Sequence, residues 1–128
     1  MDFGEYTQDN RRFYRVKINK KVICRFLGEE GNRFKLLSMV GMEVVLLNLS
    51  PAGACITCDG SISACAVRRN NLIEIDIPIT DRVIKLTGRV IWFEKTETGV
   101  KAGISFEKIP AEDNDVLLRY LREELRFQ

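Results

Sequence analysis

Arg82-Val83-Ile84-Lys85-Leu86-Thr87-Gly88-Arg89-Val90-Ile91-Trp92-Phe93-Glu94-Lys95 is the stretch whose reading decides the fold. Ile84, Leu86, Val90 and Trp92 fall on one face and Lys85, Thr87 and Arg89 on the other, the two-residue period of a half-buried strand. Thr96-Glu97-Thr98-Gly99 reads as a hairpin loop, from which the chain returns through Val100, Ala102, Ile104 and Phe106. By this alternation Trp92 belongs with the core.

The same period extends upstream. Ile73, Ile75 and Ile77 alternate with Leu72, Glu74 and Asp76, and Pro78 is expected to weaken the end of that strand. Ala54 to Asp59 reads as a short strand, Met42 to Leu49 as a more continuously apolar one covered on both faces. In Val16 to Phe26, Val16, Ile18, Val22, Cys24 and Phe26 face one side and Lys17, Asn19, Lys21 and Arg25 the other. Arg33 to Leu37 reads as a further short strand, and Ile62 to Arg69 as either strand or connection. Six or more antiparallel strands at this spacing argue for a barrel or a sandwich. Downstream the period changes: Pro110 and the acids Glu112 and Asp113 suit the first turn of a helix. Leu117, Leu118, Leu121 and Leu125 make its apolar stripe, to be packed on the barrel or on a partner chain.

The chain of 128 residues is expected to be one domain, with 45% hydrophobic residues to build its core. Its 20 basic and 18 acidic residues leave a net charge of only +2, which argues against a general nucleic-acid coat and makes any basic site local. No apolar run reaches the roughly 18 residues of a membrane span, and Met1-Asp2-Phe3-Gly4-Glu5 has no signal-peptide pattern. The expectation is a soluble, unexported protein. There is no histidine, which excludes His-dependent triads and Cys/His zinc sites. Cys55 and Cys58 have Cys-x-x-Cys spacing, with Cys24 and Cys65 as further thiols. In a strand, residues three apart point to opposite faces, so ordinary reduced thiols and no metal are expected.

Two stretches carry chemistry. Asn10-Arg11-Arg12-Phe13-Tyr14-Arg15-Val16 crowds three guanidiniums just ahead of the first strand. Arg11 and Arg15, four apart, can converge on one anion and offer rigid forks of donors that match phosphate oxygens or the O6/N7 edge of guanine. Taken alone the pair is better explained by a solvated basic tail. Asn48-Leu49-Ser50-Pro51-Ala52-Gly53 is a turn cluster between two apolar runs, and alone is a plain turn.

Taken together, Arg-x-x-x-Arg before a strand and Asn-x-Ser-x-x-Gly between strands resemble the PilZ domain, a bacterial receptor module for cyclic di-GMP. Gly88-Arg89-Val90-Ile91-Trp92, Ala102-Gly103-Ile104-Ser105-Phe106 and the helix opened by Pro110 look like the last strands and closing helix of that family. The resemblance implies a mainly β fold, a six-stranded antiparallel split β-barrel with a C-terminal α-helix over residues 11–128; residues 1–10, polar and without any period, are expected to be a flexible segment ahead of it. It implies a cytoplasmic, non-catalytic receptor that binds cyclic di-GMP, needs no cofactor, and signals to an unidentified protein partner, without DNA, RNA or membrane insertion.

In that reading Arg11 and Arg15 take the phosphates and guanine Hoogsteen edges, with Arg12 adding a phosphate or stacking contact. Asn48 accepts from guanine N1–H and N2–H. The family's loop more often begins with Asp, and an amide has one acceptor oxygen where a carboxylate has two, so weaker binding is expected. Ser50 donates to a phosphate or pins the loop, and Gly53 permits positive φ or a close backbone approach. A tryptophan at the place of Trp92 can lie near the ligand in that family, against the core position its alternation gives. The alternatives are a PilZ-like interaction module that binds the nucleotide weakly or not at all, and a split-barrel flavin or redox enzyme, which the missing histidine disfavours.

Overall fold

The computed structural model describes residues 15–28, 41–60 and 69–127. The expectations for residues 1–10, Arg11, Arg12, residues 33–37, residues 62–68 and Cys65 lie outside the described residues. Among the described residues six strands and one helix occur in order: β1 (Val16–Gly28), β2 (Met42–Leu49), β3 (Gly53–Asp59), β4 (Leu72–Ile79), β5 (Arg82–Lys95), β6 (Gly99–Phe106) and α1 (Ala111–Arg126). The strands close into an antiparallel barrel in the order β1-β2-β3-β6-β5-β4, with β4 pairing back onto β1. Of the two architectures the alternation allowed, the barrel is the one formed, and closure leaves the paired strands without an open sheet edge.

The core comes from the inward period of each strand. β4 contributes Ile73, Ile75, Ile77 and Ile79, β5 contributes Ile84, Leu86 and Val90, and β1 contributes Val16, Val22, Cys24 and Phe26. α1 adds Leu117 and Leu121 to the same cluster, each burial being worth about 1.5–3 kcal/mol. Leu125, expected in the same stripe, is exposed, because the stripe continues beyond the part of the helix that the barrel covers.

Three local expectations are corrected. β2 is covered fully only on its inner face: Val44, Leu46 and Leu49 are buried, while Glu43 is exposed and Val45 and Leu47 are half-buried. β4 runs through Pro78 to Ile79, because Pro78 sits on the outer side near the hairpin end, paired with Val83, while its carbonyl accepts from Lys20 Nζ at 3.3 Å. Pro110 is the N-cap of α1 rather than a residue of its first turn. Its carbonyl accepts the first helical bond, from Asn114 N–H at 2.9 Å. Glu112 and Asp113 do lie in the first turn, where the helix dipole favours acids. Asp113 also meets Arg82 at 3.4 Å, tying the helix to the start of β5.

Candidate functional site

Two strand irregularities determine which side chains the barrel shows on one part of its outer wall. In β2 the pairing steps from Leu46↔Ile56 to Asn48↔Cys55, so Leu47 is an extra residue on its strand. In β5 it steps from Val90↔Ile104 to Trp92↔Gly103, with Ile91 as the extra residue. A one-residue bulge reverses the facing of the residues beyond it. Leu46 and Val90 point into the core, and strict alternation would carry Asn48 and Trp92 inward with them. Both instead face outward. The core position that alternation gave Trp92 is therefore corrected: its side chain is 37% exposed.

The register then lines up one row across five adjacent strands: Lys17 on β1, Asn48 on β2, Cys55 on β3, Gly103 on β6 and Trp92 on β5. From Asn48 to Trp92 the row crosses three strand gaps, about 14 Å. Its middle is low, since Gly103 has no side chain and Cys55 is only 3% exposed. Trp92 stands at one end, and Asn48, with Arg15 beside it, at the other. The Arg15 Nη1 donates to Asn48 Oδ1 at 3.3 Å, across 33 positions of sequence.

The turn after Asn48 is held by one hydroxyl. Ser50 Oγ accepts from the Ala52 N–H at 3.2 Å and the Gly53 N–H at 3.1 Å, and donates to the Gly53 carbonyl at 3.3 Å. The Ser50 N–H closes the turn onto the same carbonyl at 2.8 Å, and the Phe106 N–H docks it on β6 through the Ala52 carbonyl at 2.8 Å. Ser50 is 6% exposed. Of the two roles the sequence allowed it, the geometry supports pinning the loop. Gly53 has an ordinary negative φ, and its reason is close approach: a Cβ there would fall on the Ile104 carbonyl oxygen.

The local electrostatics are mixed. Burial pushes the Cys55 thiol up from its ordinary range, opposed by the positive charges of Lys101 and Arg15 and assisted by Glu94. Those three charges therefore lie within electrostatic reach of Cys55. Cys58, three residues on, faces the core with Cys24, and burial pushes it up to about 12. Cys55 and Cys58 thus lie on opposite faces of β3, as the strand period requires.

Among the candidate residues, Arg15, Asn48 and Trp92 are brought to one outer wall and Ser50 and Gly53 to the turn that adjoins it, while Arg11 and Arg12 lie outside the described residues. The wall combines a guanidinium, a single amide acceptor, a tied loop and an indole face. Such a set can pair with an anion, accept from a planar donor edge and stack on a ring. Sequence reading did not assign Lys17, Cys55, Lys101 or Gly103 to this wall, because only the register places them in or beside the row.

A family model described as PilZ domain matches residues 9–123. No curated protein matches the chain by sequence. Among solved structures, the Bacillus subtilis inhibitor of motility MotI/DgrA superposes with a TM-score of 0.66 at 16% identity, covering 94% of this chain and 54% of that one. The PilZ domain of YcgR from Escherichia coli, solved with c-di-GMP, gives a TM-score of 0.66 at 11% identity and covers 93% of this chain and 94% of that domain. The PlzA protein of Borreliella burgdorferi, in complex with c-di-GMP, gives 0.54 at 17% identity, covering 93% and 42%. The chain thus spans about half or less of the motility inhibitor and of PlzA, but nearly all of the isolated domain. At these identities the likeness is one of fold.

Proposed function

The chain belongs to the PilZ domain family, and from that premise we propose that it is a non-catalytic, cytoplasmic bacterial receptor for cyclic di-GMP. The observation that carries this reading is the 3.3 Å contact between Arg15 and Asn48. It joins the end of the Arg-x-x-x-Arg segment to the start of the Asn-x-Ser-x-x-Gly loop on the wall where Trp92 is also exposed. Two structural neighbours, the YcgR domain and PlzA, carry c-di-GMP.

Arg15 supplies a bidentate cation for a phosphate or for the O6/N7 edge of a guanine, with Arg11 as its partner and Arg12 as an added contact. Asn48 offers its carbonyl to the guanine N1–H and N2–H. Ser50 and Gly53 act one step back, by fixing the turn that aims Asn48. Binding engages the arginine segment with the nucleotide and the Asn48 to Gly53 loop, and so presents a new surface to a protein partner. No DNA or RNA contact and no cofactor enters this mechanism.

Isothermal titration with cyclic di-GMP tests the reading. Wild type should bind with one transition, and Arg15→Ala should weaken binding by about 1.5–3 kcal/mol, the scale of a charge-assisted contact. Arg15 is exposed, so its melting temperature should not move. Wild-type affinity in the Arg15→Ala variant would remove that residue from the site. A second reading is an interaction module that binds the nucleotide weakly or not at all. It is favoured by Asn48, whose single acceptor oxygen already takes a hydrogen bond from Arg15. A wild-type protein that gives no heat with cyclic di-GMP would select it.

A further inference from the structure

The glycines of the barrel are small for different reasons. A Cβ at Gly53 or Gly99 would meet backbone, the carbonyl oxygens of Ile104 and Cys58 respectively, and one at Gly88 would meet the Ile104 side chain and the Ser105 carbonyl oxygen almost equally closely. At Gly103 the three nearest atoms all belong to one side chain. A Cβ there would lie 2.7 Å from Trp92 Cδ1 and closer still to Nε1 and Cε2. The five-membered half of the indole therefore rests directly on the Gly103 backbone. With one face of the ring against β6 and the side chain 37% exposed, the ring borders the low centre of the Asn48-Cys55-Gly103-Trp92 row.

Ordinary contacts between carbon atoms lie at about 3.5–4.0 Å. A methyl at position 103 would therefore have to push the indole outward by roughly 1 Å or more, or turn it to another rotamer. Nothing else near Gly103 obstructs a methyl as closely, so the ring is what must give.

We infer that Gly103 is a positioning residue: its missing side chain seats Trp92 against β6 so that the indole forms the stacking wall for a guanine of the bound nucleotide. The inference rests on the receptor reading, and it adds a residue that touches no ligand itself. Stacking on an aromatic ring holds a base whatever its sequence, so displacing the wall should weaken cyclic di-GMP binding by roughly tenfold.

The test is a double-mutant cycle of Gly103→Ala and Trp92→Ala, each titrated calorimetrically with cyclic di-GMP, with melting temperatures as the folding control. Trp92 is the single tryptophan of the chain, so its fluorescence reports the ring's position without ligand. In free Gly103→Ala the emission should shift relative to wild type, and the change in emission on adding nucleotide should shrink. Affinity should fall in Gly103→Ala and in Trp92→Ala, and adding Gly103→Ala to Trp92→Ala should cost nothing further. Should Gly103→Ala misfold, Trp92→Ala still decides, because the exposed indole can be removed without touching the core: unchanged affinity there overturns the inference. A loss that is the same with and without the indole also overturns it, since Gly103 would then act through something other than Trp92. If wild type binds and Gly103→Ala binds equally, the inference fails and the receptor reading stands. If wild type itself does not bind, both fail together.

Discussion

Replacing Asn48 with Asp tests the loop residue where the sequence departs from the usual pattern. In the free protein the one acceptor oxygen of Asn48 takes the Arg15 Nη1 hydrogen at 3.3 Å, and the amide nitrogen beside it can only donate. A guanine N1–H/N2–H edge has to share that oxygen with Arg15, whose hydrogen occupies one of its two lone pairs. Asp offers two oxygens, one to keep Arg15 and one for the base, and turns a neutral acceptor into a charged one. Neutral hydrogen bonds are worth about 0.5–1.5 kcal/mol net and those to charged groups about 1.5–3, a gain of about 1 kcal/mol or slightly more. Against this stands repulsion from the phosphates, about 0.5 kcal/mol at a separation of roughly 8 Å in water. Arg15, and Lys17 paired opposite on β1, oppose that repulsion further. The expected outcome is cyclic di-GMP binding tighter by about 0.5–1 kcal/mol, a factor of roughly two to five. Calorimetric titrations of wild type and Asn48→Asp at matched ionic strength provide the measurement, with a melting curve to confirm equal folding. Distinctly weaker binding by Asn48→Asp would refute the placement of this side chain on the base edge.

The geometry sets three further outcomes. Ser50→Ala removes the oxygen that accepts from the Ala52 and Gly53 N–H groups, and should cost about 1–3 kcal/mol in a denaturant melt as well as nucleotide affinity; an unchanged melt would mean the turn does not depend on that hydroxyl. Thr80, exposed in the two-residue β4–β5 turn, holds a φ of 57°, a region costly for a β-branched residue. Thr80→Asn should therefore raise stability by about 1 kcal/mol, and a variant no more stable than wild type would show that no strain is relieved there. The Cys58 thiol rises from 9.0 to about 12 by burial, so the folded state holds a proton that the unfolded chain gives up. Its contribution is intact below pH 9 and is lost progressively up to about pH 12, at about 1.4 kcal/mol per pH unit. Stability measured at stepped alkaline pH should fall less steeply in Cys58→Ala, and parallel slopes would exclude the thiol as the cause.

The sequence carries most of the barrel on its own, because strand periodicity is a local property that can be counted. The isoleucines of β4 and the alternation of Ile84, Leu86 and Val90 mark the inner face wherever the strands stay regular. The arginine segment and the Asn48 to Gly53 turn are legible for the same reason, each being a short run of residues with its own chemistry. Counting fails at a bulge. Nothing in Leu46-Leu47-Asn48 or Val90-Ile91-Trp92 announces an extra residue, yet each bulge changes the facing of the residues beyond it, and Trp92 leaves the core on that account. A bulge is a property of two strands together, fixed by the register in which their inner faces pack, and so it exists only once the partners have met. The same holds for Arg15 beside Asn48, and for Gly103 beneath the indole. The sequence thus determined which chemical groups were available, while barrel closure, by fixing register and bulges, decided which of them share the outer wall.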